Sequence, residues 1–158
     1  MADSKTAPVS DVTASSFYKS DAFGPANLID GGKDFGGWIT DAGKCGGAWV
    51  AFRFAEPVLL GSVEICNGFI EEEAAKTRDD YYFHKRAREI TISFGAAGPS
   101  SIEATLEDSK EPQTIPLNPA APVTEARISI RSVYDASPGG TIKPFDVLGL
   151  RQVTWLMR

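Results

Sequence analysis

Apolar and polar positions alternate along most of this chain. Between Ala48 and Phe54, Val50, Phe52 and Phe54 share one face and Arg53 stands on the other. The same period runs through Ser62–Asn67, with Val63 and Ile65 inward and Glu64 outward. It returns in Arg88–Phe94, where Ile90, Ile92 and Phe94 alternate with Thr91 and Ser93. Ile102–Leu106 and Thr114–Leu117 are shorter runs, and in Ala126–Val133 Ile128 and Ile130 oppose Arg127, Ser129 and Arg131. Successive side chains of a strand point to opposite faces, so a period of two predicts strands with one buried side. Ala14–Tyr18 adds a short edge strand before the turn Phe23-Gly24-Pro25, and Val147–Leu156 a closing strand of less regular alternation. About eight short strands separated by Pro and Gly turns predict an all-β fold, an antiparallel sandwich or barrel. Only 70–78, with Glu71-Glu72-Glu73-Ala74-Ala75-Lys76, has helical character, and it predicts a turn or two inside a long connection.

Before the first clean strand lies Asn27–Trp49, with seven glycines, two tryptophans and three aspartates. Helices do not tolerate glycine at this density, whereas a loop uses it to turn tightly. Trp38 and Trp49 either plug the core beneath this loop or offer flat apolar surface at a binding edge. No composition shift or linker divides the 158 residues, so 1–13 reads as a loose polar terminus and 14–158 as one domain.

Charge and motifs narrow the function. A net charge of −5 and the lack of a basic stripe argue against nucleic acid as a partner. The densest basic cluster, His84-Lys85-Arg86-Ala87-Arg88, has acidic neighbours and reads as a solvated face or as structural arginines, with Arg86 pairing a carboxylate. No apolar run approaches the ~20 residues of a membrane span, and Met1–Ser10 lacks the blocks of a secretory signal. Two cysteines, Cys45 and Cys66, make neither a disulfide framework nor a zinc site. With 48–54 and 61–66 expected to run antiparallel about a turn near Pro57, both lie toward the same end, and a single bridge pinning the glycine-rich loop stands as the alternative to two free thiols. With one histidine, His84, and no nucleophile elbow or phosphate loop, the chain offers no catalytic constellation. The acidic pairs Asp79-Asp80 and Glu107-Asp108 are expected by chance among 21 acids, and neighbours on a strand point apart. The chain is therefore not expected to be an enzyme.

Several collinear motifs resemble one family. Asn27-Leu28-Ile29-Asp30-Gly31, then Trp38, then Ala48-Trp49-Val50-Ala51-Phe52 are similar to the opening of discoidin, or coagulation-factor type C, domains of the galactose-binding-like group. Ile65-Cys66-Asn67-Gly68-Phe69, His84-Lys85-Arg86-Ala87-Arg88 before Glu89-Ile90-Thr91-Ile92, and Ile128–Tyr134 followed by Asp146 resemble its NADase-type glycan-binding subgroup. His84 stands where that subgroup has Asn. The likeness spans roughly residues 14–156 and implies an antiparallel jelly-roll β-sandwich whose loops at one end bind ligand, most often carbohydrate.

Sugars combine apolar C–H faces with hydroxyls, and so suit aromatic rings beside Arg, Asp, Asn and His. The loop candidates are Trp38, Asp41, Lys44, Asn67, Phe69, Arg78, Tyr81, Tyr82, His84 and Tyr134, with the Tyr81-Tyr82 and Trp38 loops favoured. For each a structural role stands beside this one: Phe69 and Tyr134 as closures of the sandwich, Asn67 as a turn cap, His84 as a turn support. The resemblance also implies a structural calcium held by Asn27, Asp30, Gly32 and Asp34, with Gln152 where the family has an acid. The missing carboxylate and the adjacent Arg151 weaken such a site, since calcium seeks anionic oxygens. The expected function is a non-catalytic, lectin-like carbohydrate-binding module for a glycan or glycoconjugate. It is expected outside the cell or at its surface, within or beside a larger parent protein. The alternative is a protein- or lipid-binding adhesion or assembly domain on the same fold.

Overall fold

A computed structural model describes residues 5–19, 23–29, 36–41, 43–70, 80–95, 101–119, 121–136 and 147–158. Two antiparallel sheets stack face to face. The five-stranded sheet has the order β1 (Val9–Ala14), β3 (Trp49–Val58), β9 (Val123–Ile130), β6 (Glu89–Ser93), β7 (Ile102–Thr105). The four-stranded sheet runs β2 (Trp38–Ile39), β11 (Gly149–Met157), β4 (Leu60–Asn67), β8 (Gln113–Pro116). A short pair, β5 (Arg86–Ala87) with β10 (Val133–Tyr134), stands apart from both sheets. The described helical pieces are a 3-10 turn at Pro25–Ile29 and one α-turn, α1, at Asp80–Phe83. No described helix is long and apolar enough to cross a membrane.

The alternation read from the sequence decides the core. Val50, Phe52 and Phe54 of β3, Ile90 and Ile92 of β6, and Ala126, Ile128 and Ile130 of β9 are all buried on the inner face of one sheet. Val63 and Ile65 of β4, with Val153 and Trp155 of β11, answer from the other. Trp155 joins the layers: its indole meets Phe52 at 5.2 Å and Phe54 at 6.0 Å between ring centroids, both edge to face.

Three expectations are corrected. The segment expected to be loose, 1–13, contains β1, which pairs with β3 from Val9 onward. A register shift between Val9 and Asp11 places Val9 and Val12 against the core although they are three apart, and this bulge hides the period of two. Consequently the edge strand ends at Ala14, where it was expected to begin. The turn expected near Pro57 is absent, because β3 continues to Val58 and only Leu59 separates it from β4. That connection is no hairpin: it carries the chain from one sheet to the other. The expected helical turns at 71–78 lie outside the described residues, and α1 follows them. Cys45 and Cys66 are buried thiols, and Cys45 Sγ lies 3.7 Å from Thr40 Oγ1.

Trp155→Ala is expected to destabilise the fold by about 3–5 kcal/mol, the cost of an unfilled aromatic site in a two-layer core. Urea unfolding followed by circular dichroism measures it, and a loss under about 1 kcal/mol would show that the layers do not hinge on this ring.

Candidate functional site

β4 ends at Asn67, and the side chain of that residue acts as a short extra strand. Its Nδ2 donates to the Ala87 carbonyl at 2.7 Å, and its Oδ1 accepts from the Ala87 and Gly68 N–H groups, each at 3.0 Å. The amide thereby stitches the end of the four-stranded sheet to β5. Gly68 has φ +79°, and a Cβ there would lie 2.3 Å from Tyr81 Cδ2. Only glycine lets the Tyr81 ring press against this backbone.

From β5, Arg86 projects into the gap and is 2% exposed. A guanidinium so far from water needs a full set of acceptors. Nε and Nη2 donate to the two oxygens of Asp108 at 2.9 and 2.8 Å, a bidentate pair. Nη1 donates to the carbonyls of His84, at 3.0 Å, and Asp135, at 3.2 Å. The Tyr81 hydroxyl donates to Asp108 Oδ1 at 2.6 Å. One buried cation thus ties together α1, β5, the loop after β7 and the segment after β10.

The charges respond as expected. Hydrogen bonds from Arg86 hold the Asp108 carboxyl below its ordinary range, helped by the Tyr81 hydroxyl and opposed by partial burial. Burial, then the bond to anionic Asp108, pushes the Tyr81 phenol well above its ordinary value, so it stays a donor.

This unit supports an open ring. Tyr82 is 38% exposed and meets Tyr81 edge to face, with centroids 5.0 Å apart and planes at 84°. The Arg86 guanidinium lies 5.2 Å from its centroid and the Lys110 ammonium 5.6 Å. Asp108 keeps a third of its side chain exposed. Nearby, the half-buried Tyr134 donates its hydroxyl to the Leu106 carbonyl at 2.8 Å, and Arg88 lies 5.7 Å from its ring centroid. An exposed aromatic, a fixed carboxylate and an ammonium therefore share one end of the sandwich.

The other candidates have different places. Trp38, favoured for the rim, is fully buried in the main core and donates Nε1–H to the Ser16 carbonyl at 2.8 Å, so it presents no face to a ligand. Phe69 is buried with Ile39 and Val147 and packs on Phe23 and His84, at 5.9 and 5.2 Å between centroids. Trp38 lies in β2 and Phe69 in the segment after β4, and both rings turn inward to close the sandwich. His84 is 5% exposed, and Asn67 and Tyr81 are fully buried, so these three support the rim without forming its surface. Asp41 and Lys44 are exposed on a separate loop, whose Asp41 N–H donates to Ser16 Oγ at 3.1 Å. Arg78 lies outside the described residues. The sequence reading passed over Asp108 as a chance acid and gave Lys110 no role.

The expected calcium loop is described in part. Asp30, Gly32 and Asp34 lie outside the described residues. Asn27 Nδ2 donates to the Gly37 carbonyl at 3.1 Å. Gln152 is 5% exposed, and its Oε1 is a buried acceptor without a hydrogen-bond partner. An orphaned oxygen of this kind fits a cation. The neighbouring Arg151 is engaged elsewhere, donating to the carbonyls of Asn67 and Lys110.

No protein-family model matches this sequence, and no curated protein matches it either. Solved structures do match. An F5/8 type C domain from Bacteroides fragilis superposes with a TM-score of 0.63 at 17% identity, covering 97% of each chain. The CBM32 of AlyQ, in complex with 4,5-unsaturated mannuronic acid, gives 0.61 at 14% identity, covering 96% of this chain and 97% of that one. The family 32 carbohydrate-binding module of C. perfringens NanJ, in complex with galactose, gives 0.62 at 13% identity over 92% of both. The chain has the discoidin-like, galactose-binding-like β-sandwich fold. At these identities the likeness speaks to fold, and the finer subgroup rests on the sequence motifs alone.

Asp108→Asn removes the anion that partners a buried cation and is expected to destabilise the fold by about 2 kcal/mol, a figure reduced for the exposed third of the carboxylate. Because the folded state depresses this carboxyl, its contribution is complete above the unfolded value of about 4 and is lost as pH falls through the folded value. Stability of the parent should drop on acidification below about pH 4 more steeply than that of the variant. Parallel acid profiles for the two proteins would contradict the assignment.

Proposed function

We propose that this chain is a non-catalytic glycan-binding module that takes a saccharide residue against Tyr82. The observation that carries this reading is the exposed Tyr82 ring, held edge-on by the Tyr81–Arg86–Asp108 unit while Trp38, Phe69 and Tyr81 turn inward. The apolar face of a sugar stacks on the ring, Asp108 accepts from hydroxyls and Lys110 donates to them. Two of the fold's solved neighbours carry sugars, galactose in one and an unsaturated uronic acid in the other, which supports a saccharide as the ligand class. Asp108 is poorly suited to acid catalysis. A general acid in glycoside hydrolysis needs a raised pKa, and this carboxyl is depressed. Such a module works outside the cell or at its surface, within or beside a larger protein.

The same proposal includes a structural calcium ion at the Asn27–Asp34 loop, with Gln152 Oε1 among its ligands. Asn27, Asp30, Gly32 and Asp34 would hold the ion together with Gln152, and it would supply stability to the fold and no chemistry toward the sugar. Replacing a carboxylate by an amide lowers the affinity.

Tyr82→Ala is expected to abolish most saccharide binding on a glycan array, with the melting temperature held within about 2 °C of the parent because the ring is exposed. Binding that survives in the variant excludes Tyr82 as the platform. An array with no saccharide bound by the parent favours the adhesion reading. For calcium, millimolar ion should raise the melting temperature, and Gln152→Glu should enlarge the rise. Identical melting in calcium and in chelator, for both proteins, would remove the ion from the proposal.

A further inference from the structure

Away from the loop end, the outer face of the five-stranded sheet holds a second concentration of donor and acceptor groups. β3, β9 and β6 lie side by side, and register aligns Ala51 with Arg127 and Arg127 with Ser93. The next rows align Arg53 with Glu125, and Trp49 with Ser129 and Thr91. All of these point away from the core, since the alternate positions Val50, Phe52, Ile92, Ala126 and Ile128 are buried. Arg127 therefore rises between two small side chains, and its guanidinium lies over the Trp49 ring, 4.1 Å from the centroid. Beside it is a hollow of about 300 Å³ lined by Ala51, Ser93, Gly95, Glu125, Ala126 and Arg127. Glu125 reaches across Gly95, where a Cβ would stand 2.1 Å from Oε1 and where φ is +65°.

The charges on this face behave in two ways. Arg131 reaches both Glu89, at 3.7 Å, and Glu103, at 3.3 Å. Glu125 and Arg127, two residues apart on the same side of β9, form no ion pair among the described residues. Stacking on Trp49 holds the guanidinium away from the carboxylate. The result is an acceptor and a donor fork standing apart across a floor of small residues, with no net charge between them.

We infer that this hollow is a second saccharide subsite, separate from the loop end, which takes one neutral sugar residue. Glu125 accepts from neighbouring hydroxyls, Arg127 donates to hydroxyl or ring oxygens, and Ser93 adds a hydroxyl at the floor. Opposite charges standing apart on one floor favour a neutral polyol over an anion. The rigid sheet fixes both groups before the ligand arrives, so little ordering accompanies binding. Two sites on one module also let a polysaccharide be held at two points, which raises avidity without strengthening either contact.

The test is amide chemical-shift titration of the full chain with galactose, glucose and mannose, and with galacturonate as the charged comparison. A neutral sugar should move the signals of Ala51, Ser93, Gly95 and Arg127. Glu125→Gln should weaken that titration by about tenfold or more, a change equivalent to one lost charged contact, while shifts at Gly68 and Asp108 stay as in the parent. Arg127→Ala should weaken it as well and shift the Trp49 fluorescence. The inference is overturned if no neutral sugar moves these four amides, if only galacturonate does, or if Glu125→Gln titrates like the parent. Signals from Gly68 and Asp108 report the loop end in the same spectra, so failure of one site is read apart from failure of the other.

Discussion

Keeping the Arg86 guanidinium charged in a place water does not reach is the constraint on which the Tyr82 end of this domain depends. An unpaired cation there would cost several kcal/mol, so each donor must be met. Asp108 accepts from Nε and Nη2, and the carbonyls of His84 and Asp135 accept from Nη1. Asp108 and Asp135 lie far along the chain from Arg86, and meeting its donors draws their segments into one place. Tyr81 joins because Asp108 has a lone pair left for its hydroxyl, and Gly68 makes room for its ring. Tyr82, next in sequence, is thereby left facing out. Breaking the ion pair would be felt first as a loose platform.

The two sheets serve this end by being stiff. Trp155, from one layer, lodges against Phe52 and Phe54 of the other, so the layers are hard to slide. Asn67 and Arg151 then carry the rigidity of β4 and β11 into the loops, through bonds to Ala87, Gly68 and Lys110. A rim held in this way would lose little freedom on binding, which suits the proposed glycan-binding role.

Polar groups are used in two ways on one scaffold. At the loop end a buried cation meets a partly exposed carboxylate, and the pair acts as structure. On the outer sheet face Arg127 is drawn onto Trp49 and Glu125 stands clear of it, so both remain open to a partner. The contrast follows from surroundings. Burial forces pairing, whereas an exposed charge gains little from it and is easily held elsewhere by a ring.

Alternation alone was enough to read the strands and their inward faces, because a period of two maps directly onto the sides of a sheet; β3, β4, β6 and β9 all follow it. It misled at β1, where a bulge offsets Val9 from Val12, and it could not say that β3 and β4 belong to different layers. Residue type marked Tyr81 and Tyr82 as candidates and Arg86 as a structural partner of a carboxylate, but it also put Trp38 and Phe69 on the rim, since an aromatic ring looks alike in sequence whether it fills a core or a rim. Asp108 was invisible among 21 acids. Its role exists only because the chain folds back, across a separation of 22 positions, to set its carboxylate beside Arg86. Local pattern determines which side of a strand is wet. Which wet residues meet one another is decided by long-range pairing, where a buried charge selects its partner by position in space.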